Sequence, residues 1–393
     1  MQMVAQNDPF SPTPSRGALI SAQTKSVEKR PNLDNMEVTD DDGVVREILG
    51  CRGYRVRNEV TLEDVAKAAG VHKATVSRAL NPETQSVVNE QTVRRIVRVA
   101  ESLGYVRNLT ARSLRVQSTM TVGVVIPDLT NPIFPPMVRG IENYLAKHGY
   151  TVLLADTDES EDEEKEAIRS LAERRVDGFI VATGADDHET IPRMFDQGIA
   201  VVLANRGAGT VPYPLVTGDD EDGMRQAVEH LHRLGHRHIV HLAGPENFST
   251  TRIRAREIVR VCGDFGITCE VVPVENLRVD AGTSAVDRLL EQPWSFTAIQ
   301  ASTDLLALGA LRSIRAHGLT CPGDISVIGF NDMPFAAEFS PGLTSVKVPL
   351  DEIGAEAARL LVTRLQEGKN SPRVVTLPVR LVVRQSTGPA ASR

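Results

Sequence analysis

Residues 62–81 read LEDVAKAAGVHKATVSRALN, and their spacing predicts two short helices meeting at a tight corner. Ala66 falls where the helices press together and little beyond a methyl fits. Gly70, four residues on, falls at the end of the first helix, where a positive φ is needed. Val65, Ala69, Val71, Val76 and Ala79 supply the apolar contacts between the two helices. The second helix then presents Lys73, Ala74, Ser77 and Arg78, small or polar groups that suit a DNA major groove. The stretch reads as a helix-turn-helix, and the rest of the chain is read as what that head serves. The alternative is an ordinary two-helix corner in a helical bundle.

Outward from this corner, Thr61 is a good N-cap, with Asp64 three residues on to complete a capping-box pair. A third helix begins after Asn89, carries Glu90 in its first turn, and places Val93, Ile96, Val97, Ala100 and Leu103 on one face. Gly104 ends it. Residues 59–105 thus form a small three-helix domain near the lower size limit for independent folding. Residues 106–118 follow as a hinge, in which 108–115 read NLTARSLR, a polar helix too short to hold alone in water. Leu114 sits there with no core to join. It is either an apolar wedge for a minor-groove base step or a residue packed on the body.

Residues 1–58 show no sustained period, are broken by Pro9, Pro12, Pro14 and Pro31, and carry the acidic run Asp40-Asp41-Asp42. They read as a disordered extension.

Beyond Met120 the pattern changes. β-branched runs at 121–127, 150–156, 178–182, 200–205, 238–244, 270–274, 297–302 and 324–330 alternate with amphipathic helices at 136–148, 162–174, 220–234, 251–265, 283–291 and 303–317. This βαβ alternation predicts an α/β body of parallel sheets covered by helices on both faces, with enough units for two lobes over 119–393.

Bulk properties agree. The 393 residues suffice for two or three domains. No apolar run approaches the roughly 20 residues of a membrane span, and the first 25 residues lack a signal-peptide core, which argues against export. The net charge of −7 conceals an asymmetry: residues 59–117 carry nine Lys/Arg against six Asp/Glu, whereas 118–393 carry 27 against 37. A basic head on an acidic body points one end at phosphates. The four cysteines, Cys51, Cys262, Cys269 and Cys321, form no CxxC pair and read as reduced thiols. His230, His232, His236, His238 and His241 crowd one region but do not share a face, so they read as a surface cluster around a helix-to-strand turn rather than a metal site. Glu161-Asp162-Glu163-Glu164 reads as a solvated helix N-terminus. No GxGxxG, P-loop, GxSxG or HExxH pattern occurs, so neither a nucleotide cofactor nor catalysis is expected.

Polar residues collect where the strands end, the place where open α/β sheets bind ligands. Asp128 follows the first strand, Asn205 and Arg206 the fourth, Thr303 and Asp304 the seventh, and Asn331 the eighth. Arg254 begins the helix after 238–244. Such amide, carboxylate and guanidinium groups suit a hydroxyl-rich or anionic small molecule. Capping of the following helices is the competing use, for Asp304 above all.

With these residues in view, the chain resembles the LacI/GalR family of bacterial transcription regulators over about 60–387. The most specific parts are VTLEDVAKAAGV, ATVSRALN, ESLGYVRN through ARSL, VGVVIPDLTNPIF, RRVDGFIV, DLLALGAL and DISVIGFND. The resemblance implies a cytoplasmic, nucleoid-associated repressor. It would act as a homodimer on pseudo-palindromic operator DNA, with its affinity set by a small-molecule effector, a sugar or related metabolite. Lys73, Ala74 and Arg78 would then reach base edges, and Thr61, Thr75, Ser77, Asn81, Asn108 and Arg112 would complete the DNA contacts. Leu114 falls on the inserted hinge leucine. The body would be a type I periplasmic-binding-protein-like pair of lobes with crossings near 218, 347 and 378. Asp128, Phe134, Asn205, Arg206, Thr250, Arg254, Thr303, Asp304 and Asn331 would face its cleft. Five positions depart from the pattern. His72 replaces the usual serine, which predicts a weaker cap on the recognition helix. Asn205 and Asn331 stand where aspartate is common, Leu277 where an aromatic often stacks, and Glu257 replaces a frequent glycine.

A transport-type solute-binding protein would share such a body, but it needs a signal peptide and has no use for residues 61–115. An α/β enzyme would need a nucleophile or an acid–base pair.

Overall fold

The computed structural model describes residues 60–81, 84–105, 118–186, 189–208, 213–368 and 373–391. The extension 1–58 and the hinge positions Asn108, Arg112 and Leu114 lie outside them. The chain divides into two compact units, Met1–Val106 and Arg107–Arg393.

In the first unit, α1 (Leu62–Ala69), α2 (Lys73–Ala79) and α3 (Glu90–Ser102) close around Val65, Ala66, Ala69, Val76, Ala79, Val93, Ile96 and Ala100, all buried. The capping box is complete: the Asp64 N–H donates to Thr61 Oγ1 at 3.3 Å, and the Thr61 N–H donates to Asp64 Oδ2 at 2.8 Å. Those bonds hold the Asp64 carboxyl below its usual range. Gly70 takes φ +63° and donates to the Ala66 and Lys67 carbonyls, turning the chain into α2. His72 caps α2 through its Nδ1, which accepts from the Ala74 N–H at 3.2 Å in place of a serine oxygen. One expectation needs correction. Leu103 is 38% exposed, since it is the C-cap of α3 and has left the apolar stripe.

The second unit contains two six-stranded sheets. In chain order the elements are β1 (Thr121–Ile126), α4 (Phe134–Lys147), β2 (Thr151–Asp156), α5 (Glu161–Glu173), β3 (Gly178–Val181), α6 (Thr190–Asp196), β4 (Val201–Ala204) and β5 (Leu215–Gly218). There follow α7 (Asp220–Arg233), β6 (His238–Ala243), α8 (Ser249–Asp264), β7 (Thr268–Pro273), α9 (Val279–Leu290), β8 (Ala298–Ala301), α10 (Asp304–Ala316), β9 (Ser326–Asn331), β10 (Thr344–Lys347), α11 (Leu350–Glu367), β11 (Val374–Leu377) and β12 (Arg380–Val382). The first sheet runs β11-β5-β4-β3-β1-β2, all parallel. The second runs β12-β10-β9-β8-β6-β7, with only β12 antiparallel. The chain therefore passes between sheets three times, after β5, after β10 and after β11.

The central strands are buried on both faces, which is why β1, β3 and β4 read as near-continuous apolar runs instead of alternating, while β8 buries Gln300 among apolar neighbours. Each lobe also packs one helix pair at backbone contact. In the first lobe α4 meets α11 through Gly140 and Gly354; a Cβ on Gly354 would fall inside the Met137 carbonyl, and one on Gly140 inside the Asp351 carbonyl. In the second, α9 meets α10 through Gly282 and Gly309.

Two further readings change. None of the five histidines is exposed, and His236 and His241 are fully buried. The C-terminal segment covers the turn: His236 bridges Thr297 Oγ1 at 2.8 Å and the Gly388 carbonyl at 3.1 Å, and His230 meets Thr387 at 2.9 Å. Burial lowers the pKa of both. Within the acidic run, Ser160 caps α5, but Glu164 is buried because it lies one turn in, on the face of Ile168 and Leu171.

Candidate functional site

In the head, α2 buries Val76 and Ala79 and thereby turns Lys73, Ala74 and Arg78 outward; Thr75, Ser77 and Asn81 are half-buried at its margins. The helix carries no acidic residue, and Arg78 makes no ion pair among the described residues. Thr61 is exposed at the start of α1, its hydroxyl already engaged with Asp64 at 2.7 Å. The outer face is thus a cationic, small-residue ridge on a packed backing, with donors ready for base edges and phosphates.

In the body, the C-terminal ends of the two sheets meet. The Arg206 guanidinium, after β4, lies 3.8 Å over the ring of Phe248, which precedes α8 of the other lobe. The Gly207 N–H donates to Ser249 Oγ at 2.9 Å, the Asp186 N–H to the Asn247 carbonyl at 3.0 Å, and Arg278 pairs with Asp158 at 2.9 Å. Arg252 pairs with Asp186 at the same lip.

Arg206 is 2% exposed, and its ion partner among the described residues is Glu159 at 3.6 Å. Burial lowers its pKa to about 10, with Glu159 opposing and Arg254 adding to the fall. Arg254 is buried in α8. Its Nε and Nη2 meet Asp220 at 2.9 and 2.8 Å, its Nη1 donates to the Ser302 carbonyl at 2.7 Å, and its plane lies 3.7 Å over Phe330. Burial pushes the Asp220 carboxyl up against the pull of Arg254. Asn205, Thr250, Thr303 and Asn331 are buried around these groups, and Phe134 is fully buried at the start of α4. Asn205 and Asn331 hold φ +69° and +109°, left-handed conformations at strand ends that asparagine tolerates better than most residues. Asp128 is half-buried, and its Oδ1 accepts from the Thr130 N–H and hydroxyl at 2.7 and 2.6 Å.

Asp304 does not act as the helix cap. Thr303 caps α10, accepting from the Leu306 N–H at 3.4 Å. Asp304 instead accepts from the Met333 N–H at 2.6 Å and Ser345 Oγ at 2.5 Å, tying the start of α10 to the segment after β9 and to the start of β10. Burial raises its pKa to about 7. The folded state therefore holds this proton where the unfolded chain has released it, so stability from Asp304 is full below about pH 4 and is lost as pH rises through about 7. Asp304→Asn is expected to flatten that part of the urea-unfolding profile between pH 4 and 7. Parallel profiles for the two proteins would remove the inference.

Five groups at this junction were not singled out from sequence: Glu159, Thr183, Asp220, Phe248 and Ser302. Thr183 follows the strand run 178–182 and Asp220 opens α7, so a polar residue at a strand end was the available signal. Glu159 and Phe248 carry no such signal, because only the meeting of the lobes gives them partners. Leu277 is buried against Gly244, and Glu257 is buried beside Arg260.

Among the described residues, no group of three or more His, Cys, Asp and Glu could hold a metal ion, and no helix is long and apolar enough to cross a membrane.

An exposed recognition ridge on one unit and a two-lobed binding body on the other define a DNA-binding regulator that carries its own sensor. The family model for bacterial regulatory proteins of the lacI family matches residues 61–108, and that for periplasmic binding protein-like domains matches 228–387. Catabolite control protein A of Priestia megaterium is 33% identical over 332 residues, covering 84% of this chain and 99% of the relative. The transcriptional repressor PurR of Aliivibrio fischeri is 32% identical, covering 83% and 98%. Among solved structures, the lac repressor dimer bound to operator and the anti-inducer ONPF aligns with a TM-score of 0.76 at 27% identity, covering 84% of this chain and 100% of that one. A complex of the regulator CelR with cellobiose aligns at 0.63 and 30%, covering 83% and 99%. The chain belongs to the lacI family of bacterial regulatory proteins and is a DNA-binding transcription regulator.

Proposed function

We propose that this chain is a repressor that binds a pseudo-palindromic operator as a homodimer and adjusts its grip when a small metabolite enters the body. The head, 59–105, would place Lys73, Ala74 and Arg78 on base edges. Thr61, Thr75, Ser77 and Asn81 would position the backbone. The hinge 106–118 would add Asn108, Arg112 and an inserted Leu114. The body, 119–393, would hold the effector among Asp128, Phe134, Asn205, Arg206, Thr250, Arg254, Thr303 and Asn331, with Asp304 stiffening one wall. The protein would work in the cytoplasm at the nucleoid, without a cofactor and without catalysing a reaction.

The observation that carries this reading is the outward ridge of α2 with Val76 and Ala79 locked behind it. Relatives support the effector half, since solved family structures are described with ONPF, cellobiose and ribose. A gel shift with a palindromic duplex against a scrambled one tests the whole. Within it, Arg78→Ala is expected to lose about 1–3 kcal/mol of operator affinity, roughly 5- to 150-fold, and to relax preference at one base pair per half-site. An equal loss on random duplex would reassign Arg78 to a phosphate.

A further inference from the structure

The polar groups where the two lobes meet are unequally spent. Three carboxylates already have partners: Asp220 holds Arg254, Asp304 holds Met333 and Ser345, and Asp128 closes its own turn on Thr130. The donors are less engaged. Neither Asn205 nor Asn331 spends its side-chain amide on another described residue. Arg206 is buried, and Glu159 balances it only from 3.6 Å, longer than the 2.7–2.9 Å of a good charge-assisted bond. Thr183 is 4% exposed, and its Oγ1 is buried with no hydrogen-bond partner among the described residues. Its neighbour Gly184 abuts the Arg206 and Gly207 backbone carbonyls, which places Thr183 at the same end of the sheet as Arg206. A buried hydroxyl without a partner costs free energy, as does a buried cation without close compensation, so both call for a group that the described residues do not supply.

We propose that the effector is a small polyhydroxylated anion, its carboxylate or phosphate oxygens against the Arg206 guanidinium and one hydroxyl against Thr183. This rests on the effector reading of the body given above. A neutral sugar would bring mostly hydroxyl donors and weak acceptors to a site that is rich in donors. An anion brings strong acceptors and completes the balance of Arg206.

The test is calorimetric titration of the full-length protein with matched pairs: gluconate against glucitol, galacturonate against galactose, ribose 5-phosphate against ribose, and glucose 6-phosphate against glucose. The first two pairs probe a carboxylate and the last two a phosphate. In at least one pair the anion is expected to bind about tenfold or more tighter than its neutral partner, a gap of about 1.4 kcal/mol. E159Q, which removes the competing carboxylate, should widen that gap, and R206Q should close it. T183V, a near-isosteric change, should weaken both members of the pair alike. Equal or tighter binding of the neutral member overturns the anionic assignment and leaves an effector site standing. Weaker anion binding in E159Q overturns it too. Silence of all eight compounds, in protein that still prefers a palindromic duplex, overturns both the assignment and the effector reading.

Discussion

Replacing Arg254 with methionine is expected to destabilise the body by about 3–5 kcal/mol and to abolish any effector response. Both guanidinium and carboxylate of the Arg254–Asp220 pair are 4% exposed, so removing the cation strands a carboxylate where water cannot reach it. The Ser302 carbonyl loses its donor at the same time, and Phe330 loses the plane stacked on it. Methionine keeps most of the volume, so the cost is electrostatic rather than a cavity. Asp220→Asn in the same chain should recover part of the loss, with a coupling energy of about 0.5–3 kcal/mol in urea unfolding. Operator binding by the recovered double variant should no longer answer to effector. Strict additivity of the two substitutions would show that the pair contributes nothing as a pair.

Gly354→Ala is expected to lower stability by about 1–3 kcal/mol or more, although alanine is the better helix former by about 1 kcal/mol. The new methyl would meet the Met137 backbone carbonyl, which cannot swing aside as a side chain can, so α4 and α11 must separate. Gly263→Ala, inside α8 with nothing within 4 Å of the new Cβ, gives the opposite sign and should raise the melting temperature. Shifts in the same direction for both variants would show that helix propensity, not the close approach, decides.

The head was legible almost entirely from sequence because its determinants are local. Thr61 with Asp64, Gly70, and the apolar spacing of Val65, Ala69, Val76 and Ala79 all act within about twenty residues. The central strands were legible for a similar reason, since burial on both faces writes itself as an apolar run. Short peripheral strands such as β11 and β12 were not, because their exposed positions leave no run to read. Nor were the partners of the strand-end residues. Arg254 was visible as a polar group in the right place, but Asp220, 34 residues away, becomes its partner only when α7 and α8 pack. The histidines read as a surface cluster because their spacing around a helix-to-strand turn shows no shared face, whereas Thr387 and Gly388, about 150 residues downstream, meet His230 and His236.

The three passages between sheets bear on how the protein is made. The first lobe is encoded by 121–218, yet one of its edge strands, β11, is supplied by residues 374–377, and the second lobe closes only with 380–382. On the ribosome, neither half can be completed until residues 374–382 have been translated. A premature stop between β10 and β11 therefore leaves two unfinished sheets with open edges, prone to aggregation and proteolysis, although the helical head has already been made. Late nonsense mutations in this gene should then behave as losses of the entire sensor rather than as trimmed but functional products.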